Sequence, residues 1–240
     1  MKKIAIVPAS GIGQRVGKSI PKQYMRLANG RFLIEQTLDQ LCAEAWFDQI
    51  IVVLRSDDQW WWKTTYANDS CIVTCHGGKT RFESVYNGLL LVCKLDVDAQ
   101  NDWVFVHDAA RPLASIDLFK NLYETVIEQQ AKGGIVAMPA HDTVKKVDQK
   151  TQRIIKTISR ETIWLAQTPQ LFEYGLLKQA MQYCRKHQIP VTDESSAVES
   201  FGYQPMIVEG QWHNIKVTVE KDLQFVNQYL CYSVNSNKEH

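Results

Sequence analysis

Ile4-Ala5-Ile6-Val7-Pro8-Ala9-Ser10-Gly11-Ile12-Gly13-Gln14-Arg15-Val16-Gly17-Lys18 sets a short apolar run directly before a glycine-bearing, basic loop. A run this short, closed by proline and glycine, predicts a buried strand rather than a helix. The glycines let the backbone turn tightly, approach a phosphate and aim successive N–H groups inward. Two well-known phosphate motifs nearly fit, and both fail. A dinucleotide fingerprint on Gly11 and Gly13 needs a third glycine where Val16 stands. A P-loop ending in Gly17-Lys18-Ser19 needs glycine where Ile12 stands, so neither the NAD nor the P-loop ATPase reading is supported. What remains is a glycine turn carrying Arg15 and Lys18, followed by Pro21-Lys22-Gln23. Alone, it reads equally as a phosphate loop or as a basic surface loop.

Outward from this loop, short apolar runs alternate with segments of helical period. That rhythm predicts an α/β fold with a mostly parallel, Rossmann-like sheet sandwiched by helices. Ile4 to Val7, Ile50 to Leu54, Cys71 to Thr74, Trp103 to His107 and Ile135 to Met138 read as strands. Phe32 to Trp46, Thr80 to Leu91, a segment from Ser115 or Asp117 to about Gln130, Glu173 to His187, and Glu220 to Leu230 read as helices. Gly133-Gly134 is expected to end the third helix, and Thr192 to cap a short one with Asp193 and Glu194 in its first turn. Pro205 to Val208 and Ile215 to Val217 read as short extended segments, and Asn235 to His240 as a frayed tail. The run Trp60-Trp61-Trp62 resembles a base-stacking platform, but basic residues do not interleave it; a short helix packed on the sheet is the better reading.

The rhythm breaks between about Pro139 and Ile158. There Thr143 to Val147 and Ile154 to Ile158 flank the polar Asp148-Gln149-Lys150-Thr151, which predicts a projecting β-hairpin. Such an arm has open edges and little core of its own, so a second copy of the chain is a natural cover for it. The whole of 1–240 is otherwise expected to form a single domain with this arm, about 139–158, inserted.

Bulk composition sets the limits. The chain has 240 residues, 45% hydrophobic and 22% charged, enough to bury a full globular core. Its 27 basic and 26 acidic residues give a net charge of +1, without the cationic excess that a nucleic-acid footprint needs. No apolar run approaches the length of a membrane span, and the N-terminus does not fit a signal peptide, so a cytoplasmic protein is expected. Cys42, Cys71, Cys75, Cys93, Cys184 and Cys231 are scattered; Cys71, Cys75 and His76 come nearest to a metal cluster but lack a second ligand pair.

The first loop gains meaning from Val104-Phe105-Val106-His107-Asp108-Ala109-Ala110-Arg111-Pro112, an apolar strand ending in a carboxylate and an arginine. Ligands of open α/β sheets bind beyond the carboxyl ends of the strands, where both Asp108 and the Gly11 loop would lie. Asp108 is a hard oxygen donor suited to Mg²⁺ bridging phosphate oxygens; a capping aspartate paired with Arg111 is the alternative. His76-Gly77-Gly78-Lys79-Thr80-Arg81 is a third loop, whose glycines expose backbone groups able to read a base edge, with Ser84 nearby. A plain strand-to-helix turn explains it almost as well.

Taken in order, Pro8-Ala9-Ser10-Gly11-Ile12-Gly13-Gln14-Arg15, Pro21-Lys22-Gln23, Gly77-Gly78-Lys79-Thr80-Arg81-Phe82-Glu83-Ser84-Val85, His107-Asp108-Ala109-Ala110-Arg111-Pro112, Asp142-Thr143-Val144-Lys145, Gln167-Thr168-Pro169-Gln170, Thr192-Asp193-Glu194 and Asn214-Ile215-Lys216-Val217-Thr218 resemble the 2-C-methyl-D-erythritol 4-phosphate cytidylyltransferase family over nearly the whole chain. Ser10 stands where a second alanine is common, and Val16 where methionine is usual. The ribitol-5-phosphate cytidylyltransferases share part of the pattern, and a non-catalytic nucleotide-binding protein on the same scaffold is the alternative of another class.

The resemblance implies a nucleotidyltransferase fold and attack of a methylerythritol phosphate oxygen on the α-phosphorus of CTP, with Mg²⁺, releasing pyrophosphate. It assigns Arg15, Lys22, Lys216 and Asp108 to catalysis. Pro8, Ala9, Ser10, Gly11, Gly13, Arg15, Lys22, Gly77, Gly78 and Ser84 fall to the nucleotide, and Asp108 to the metal. Asp108, Arg111, Thr143, Arg160, Thr168 and Lys216 fall to the alcohol phosphate, with Thr143 and Arg160 reaching from a partner's arm in a homodimer. His107 is expected to be oriented packing rather than an acid or base. Without the resemblance, Lys216 is simply the polar residue of the alternating Ile215-Lys216-Val217.

Overall fold

The computed structural model describes residues 1–11, 20–95 and 97–236. The strands are β1 (Lys3–Pro8), β2 (Gln49–Leu54), β3 (Ile72–His76), β4 (Trp103–Val106), β5 (Gly133–Pro139), β6 (Val144–Val147), β7 (Ile154–Ile158), β8 (Trp164–Glu173) and β9 (Met206–Glu209). The helices are α1 (Leu33–Cys42), α2 (Arg81–Val92), α3 (Ile116–Glu128), α4 (Tyr174–His187), α5 (Glu194–Ser200) and α6 (Glu220–Ser236).

Seven strands make one sheet in the order β3-β2-β1-β4-β8-β5-β9. Every pairing is parallel except those of β8, which runs antiparallel to both β4 and β5. Strict alternation explains the layers. Ala5, Val7, Ile50, Val52 and Phe105 face one core with α1 and α3, while Ile4, Ile6, Ile51, Val53, Val104 and Val106 face a second core with α2, α4 and α5. A sheet buried on both faces needs apolar residues at consecutive positions, which is why these strands read as unbroken apolar runs. A smaller cluster joins α6, through Leu223 and Val226, to Met25, Leu27, Ala110 and Val217.

Several expectations change. β8 has no counterpart in the sequence reading, because Gln167, Thr168, Pro169 and Gln170 interrupt its apolar pattern. Gly133 and Gly134 do not end α3; they open β5, where a Cβ would lie 2.2 Å from the Phe172 ring and 2.9 Å from Val126. Close packing against β8 and α3, not a turn, demands these glycines. Ile215 to Val217 form no strand; the segment is an irregular loop pinned by Val217 N–H donating to Ala110 O at 2.8 Å. The cap of α5 is Asp193, whose carboxylate accepts from Ser196 N at 3.0 Å, rather than Thr192. Asn235 and Ser236 continue α6, and the rest of the expected tail lies outside the described residues.

The arm forms as expected. β6 and β7 pair antiparallel with Val144 opposite Ile158 and Lys145 opposite Thr157, in a sheet of their own. Asp148 closes the turn by accepting from Lys150 N and Thr151 N. Val147, Ile154 and Ile155 remain 42%, 64% and 58% exposed, so the hairpin leaves its apolar side chains to solvent.

Candidate active site

The ends of the parallel strands converge on a cleft of about 240 Å³ lined by Pro8, Ala9, Ser10, Gly11, Lys22, Gln23, Gly78, Lys79, Thr80, Arg81, Asp108, Ala109, Ala110 and Lys216. It forms because three strand pairings run on past their strands: Ala9 N–H donates to Val53 O, Gly77 N–H to Leu54 O, and His107 N–H to Ile6 O. The first and third loops then touch. Ser10 Oγ lies 2.7 Å from Ser84 Oγ, which also accepts from Gly78 N at 3.1 Å and donates to Thr80 O at 2.8 Å. A Cβ at Gly77 would sit 2.7 Å from Ser10 Cβ and 2.8 Å from Ser84 Oγ. Glycine is therefore fixed by loop contact, while Thr80 and Glu83 close the turn as a capping box at the head of α2.

Asp108 is the electrostatic centre. Its Oδ2 is 2.8 Å from Lys216 Nζ and 3.6 Å from Arg111 Nε, and its Oδ1 accepts from Arg81 Nε at 3.2 Å. Burial pushes its carboxyl pKa up, but Arg81, Lys216 and Arg111 outweigh burial and hold it well below the usual carboxylate range. Arg81 is itself clamped by the buried Glu194, Nη1 to Oε1 at 2.7 Å and Nη2 to Oε2 at 2.9 Å, a bidentate geometry that fixes the guanidinium plane. Gln170 orients the helix bearing Glu194, donating to Asp193 Oδ2 at 2.8 Å and accepting from Ser195 N at 2.9 Å. The Gln-Thr-Pro-Gln and Thr-Asp-Glu segments thus act together behind Arg81.

A second chain of bonds fixes the backbone of Asp108. Its N–H donates to Thr168 Oγ1 at 3.0 Å, and Thr168 Oγ1 lies 3.0 Å from His107 Nδ1. His107 Nε2 lies 3.2 Å from Arg111 O. A carbonyl only accepts, so Nε2 carries a proton. Burial lowers the His107 pKa to about 4, so near neutral pH the ring is uncharged, Nδ1 is bare and Thr168 donates to it. Thr168, only 4% exposed, has its hydroxyl committed as donor and acceptor. The geometry places it behind Asp108 rather than at the open cleft.

The late loop is sewn to the cleft at three points. Arg111 Nη1 donates to Asn214 O at 2.6 Å, Val217 N to Ala110 O at 2.8 Å, and Lys22 Nζ to Val217 O at 3.0 Å. Asn214, fully buried, donates to Thr168 O and to Gln167 Oε1. These ties bring Lys22 and Lys216 to one rim. Gln23, also buried, donates to Ala9 O at 2.6 Å and joins the lysine segment to the first loop.

The structure therefore gathers Pro8, Ala9, Ser10, Gly11, Lys22, Gly78, Asp108 and Lys216 around the cleft, with Gly77, Ser84, Arg111 and Thr168 immediately behind it. It does not bring Thr143 and Arg160 there; both are exposed at the base of the arm, where Arg160 Nη1 donates to His141 O. Gly13 and Arg15 lie outside the described residues. Arg81, Glu194, Gln170 and Asn214 stand in the matching sequence segments without a local sign of a role in the cleft. Only their contacts across the fold reveal one.

A Mg²⁺ site built from protein alone does not fit: among the described residues no group of three or more His, Cys, Asp and Glu side chains gathers. Asp108 is the one carboxylate among the described residues lining the cleft, and both of its oxygens already face cations, Arg81 at Oδ1 and Lys216 and Arg111 at Oδ2. No described helix is long and apolar enough to cross a membrane.

A family model described as 2-C-methyl-D-erythritol 4-phosphate cytidylyltransferase matches residues 3–231. A Buchnera aphidicola protein of that description is 41% identical over 229 residues, covering 95% of this chain and 93% of its own length. A Pseudomonas putida protein of the same description is 42% identical over 225 residues, covering 93% and 94%. Among solved structures, the Francisella tularensis 2-C-methyl-D-erythritol 4-phosphate cytidylyltransferase is similar with a TM-score of 0.82 at 43% identity, covering 95% of this chain and 99% of that one.

Proposed function

The chain belongs to the 2-C-methyl-D-erythritol 4-phosphate cytidylyltransferase family, and from that membership and the cleft we propose how it works. It transfers the cytidylyl group of CTP to 2-C-methyl-D-erythritol 4-phosphate. A phosphate oxygen of the alcohol phosphate attacks the α-phosphorus, the bond to the β-phosphate bridging oxygen breaks, and pyrophosphate leaves with 4-diphosphocytidyl-2-C-methyl-D-erythritol as the other product.

The observation that carries the reading is the cationic rim around one buried carboxylate: Lys216, Arg81 and Arg111 about Asp108, with Lys22 tied to the same late loop. The nucleophile is already an anion near neutral pH, so the chain has no proton to remove; its task is to bring two anions together and stabilise charge at phosphorus. A buried, neutral, fully bonded His107 suits that economy.

Lys22 and, from the first loop, Arg15 hold the triphosphate and the charge developing at α-phosphorus. Lys216 receives the incoming phosphate, and Asp108 sets its position. The backbone at Ala9 and Ser10, with Gly77, Gly78 and Ser84, reads the base; a wrong base would leave a buried donor or acceptor unpaired. Mg²⁺, held by Asp108 and phosphate oxygens, would offset charge on the triphosphate. The apolar arm pairs with that of a second chain, so that Thr143 and Arg160 serve the neighbour's cleft.

A matrix of CTP, UTP and ATP against 2-C-methyl-D-erythritol 4-phosphate and ribitol 5-phosphate, read by product mass, tests the assignment. Product is expected from CTP with the methylerythritol phosphate; faster turnover with ribitol 5-phosphate overturns the substrate, and none with CTP overturns the reaction.

A further inference from the structure

The tryptophan run after β2 lies outside the cleft, yet it makes direct contact with the segment that carries Lys22. Trp60 stacks on Tyr24, with ring centroids 6.3 Å apart and planes 23° from parallel. Tyr24 is two residues from Lys22 in the same short 3₁₀ turn, Lys22–Tyr24, and is buried. Its hydroxyl donates to Asp58 Oδ2 at 2.8 Å, while Asp58 Oδ1 accepts from Trp60 N at 2.9 Å and Trp61 N at 2.8 Å. One carboxylate therefore fixes both the tyrosine and the turn that presents its stacking partner. On the other side Tyr24 meets Phe32 edge to face, at 6.0 Å and 87°. Lys63 Nζ sits over the Trp60 ring, 4.1 Å from its centroid.

We propose that Asp58, Trp60 and Tyr24 form a brace whose function is to position Lys22 for phosphoryl chemistry; it rests on the reading of Lys22 given above. The geometry gives the reason. A three-residue turn carries one hydrogen bond from Tyr24 N to Pro21 O and one from Met25 N to Lys22 O, too few to fix a lysine stem alone. Gln23 holds the turn to the first loop, and the Tyr24 ring, clamped between Trp60 and Phe32, fixes its rotation. Asp58, Trp60 and Tyr24 touch no reacting atom; they are positioning residues.

The test is a double-variant cycle on kcat, measured well below the unfolding temperature of every variant. Trp60→Ala is expected to lower kcat about tenfold with little change in KM, since small misplacements of a charge-stabilising group cost rate rather than binding. Trp60→Phe, which keeps the stacked ring, is expected to restore kcat to within about twofold, and Trp62→Ala, removing an exposed ring of the same run, to leave it unchanged. In a Lys22→Ala background, Trp60→Ala is expected to have no further effect on kcat. A tenfold loss repeated in that background marks Trp60 as merely structural and overturns the proposal, as does normal kcat in Trp60→Ala with an impaired Lys22→Ala. Normal turnover in Lys22→Ala itself overturns the role of Lys22 and the brace with it.

Discussion

The cleft and the arm are built on opposite terms. Around Asp108, side chains from the ends of β4 and α2, from α5 and from the late loop pair with one another within a single chain, and the orienting groups Thr168, Gln170 and Asn214 are buried, although Arg111 Nε and Asn214 Oδ1 find no hydrogen-bond partner among the described residues. The arm is the reverse. Its hairpin pairs only with itself and leaves Val147, Ile154 and Ile155 in solvent, with Thr143 and Arg160 exposed near its base. One region makes its bonds within its own chain; the other leaves apolar side chains that this chain does not cover. A two-stranded hairpin without a packed face is marginal in water, which is why the proposed second copy matters to the arm and not to the bonds around Asp108.

The comparison can be broken most sharply at Lys216. Lys216→Ala is expected to reduce turnover by about 10² to 10³-fold, the usual effect of losing a preorganised donor at a developing charge. Steady-state pyrophosphate release measures it, and near-normal turnover would remove Lys216 from the chemistry. Glu194→Gln tests how firmly the bonds behind Asp108 hold. It leaves Arg81 near Asp108 with half of its bidentate clamp, and is expected to cost about 3 kcal/mol of unfolding free energy in a urea titration. A loss below about 1 kcal/mol would mean that the Arg81 pair is worth no more than a surface bridge.

His107 offers a pH test. Its pKa is lowered from 6.5 to about 4 in the folded chain, so below pH 6.5 the unfolded chain binds the extra proton first. Stability from this group is complete above pH 6.5 and is lost as pH falls toward 4, by roughly 2 to 3 kcal/mol. The difference between wild type and His107→Gln, followed by urea titration from pH 7 to pH 4, should shrink by that amount; a constant difference contradicts the neutral imidazole. The smallest effect on turnover is expected from one change on the apolar side of the hairpin. If the proposed pairing of arms holds, Ile154→Asp should shift the chain toward monomer in analytical ultracentrifugation and lower turnover about tenfold, because it adds a charge to the exposed apolar side of the hairpin without touching the cleft.

How much of this was legible depends on range along the chain. β1, β2 and β4 were readable because a strand buried on both faces needs consecutive apolar residues, and the hairpin because a polar turn divides two β-type runs. β8 was hidden, since Thr168 and Gln170 are buried polar groups whose partners, Asp108 N and Asp193, lie far away in sequence. Gly133 and Gly134 carried the wrong local signal: two glycines after a helix suggest its end, while the real demand is the close approach of Phe172 and Val126. Asp108 was legible as a carboxylate at the end of an apolar strand, whereas the roles of Lys22 and Lys216 came through resemblance, not through pattern. Arg81 and Glu194 are 113 positions apart, and nothing in either segment alone announces that one clamps the other.

The central claim is that each cleft does its chemistry with its own Lys216 and with an arm from its neighbour. It is tested most directly by mixing two inactive chains, Lys216→Ala and Arg160→Ala, under conditions that let subunits exchange. In a symmetric dimer the mixed species has one cleft with an intact Lys216 facing an intact arm, so an equal mixture should recover about one quarter of wild-type turnover. Activity no higher than the average of the two parent variants would contradict a shared site.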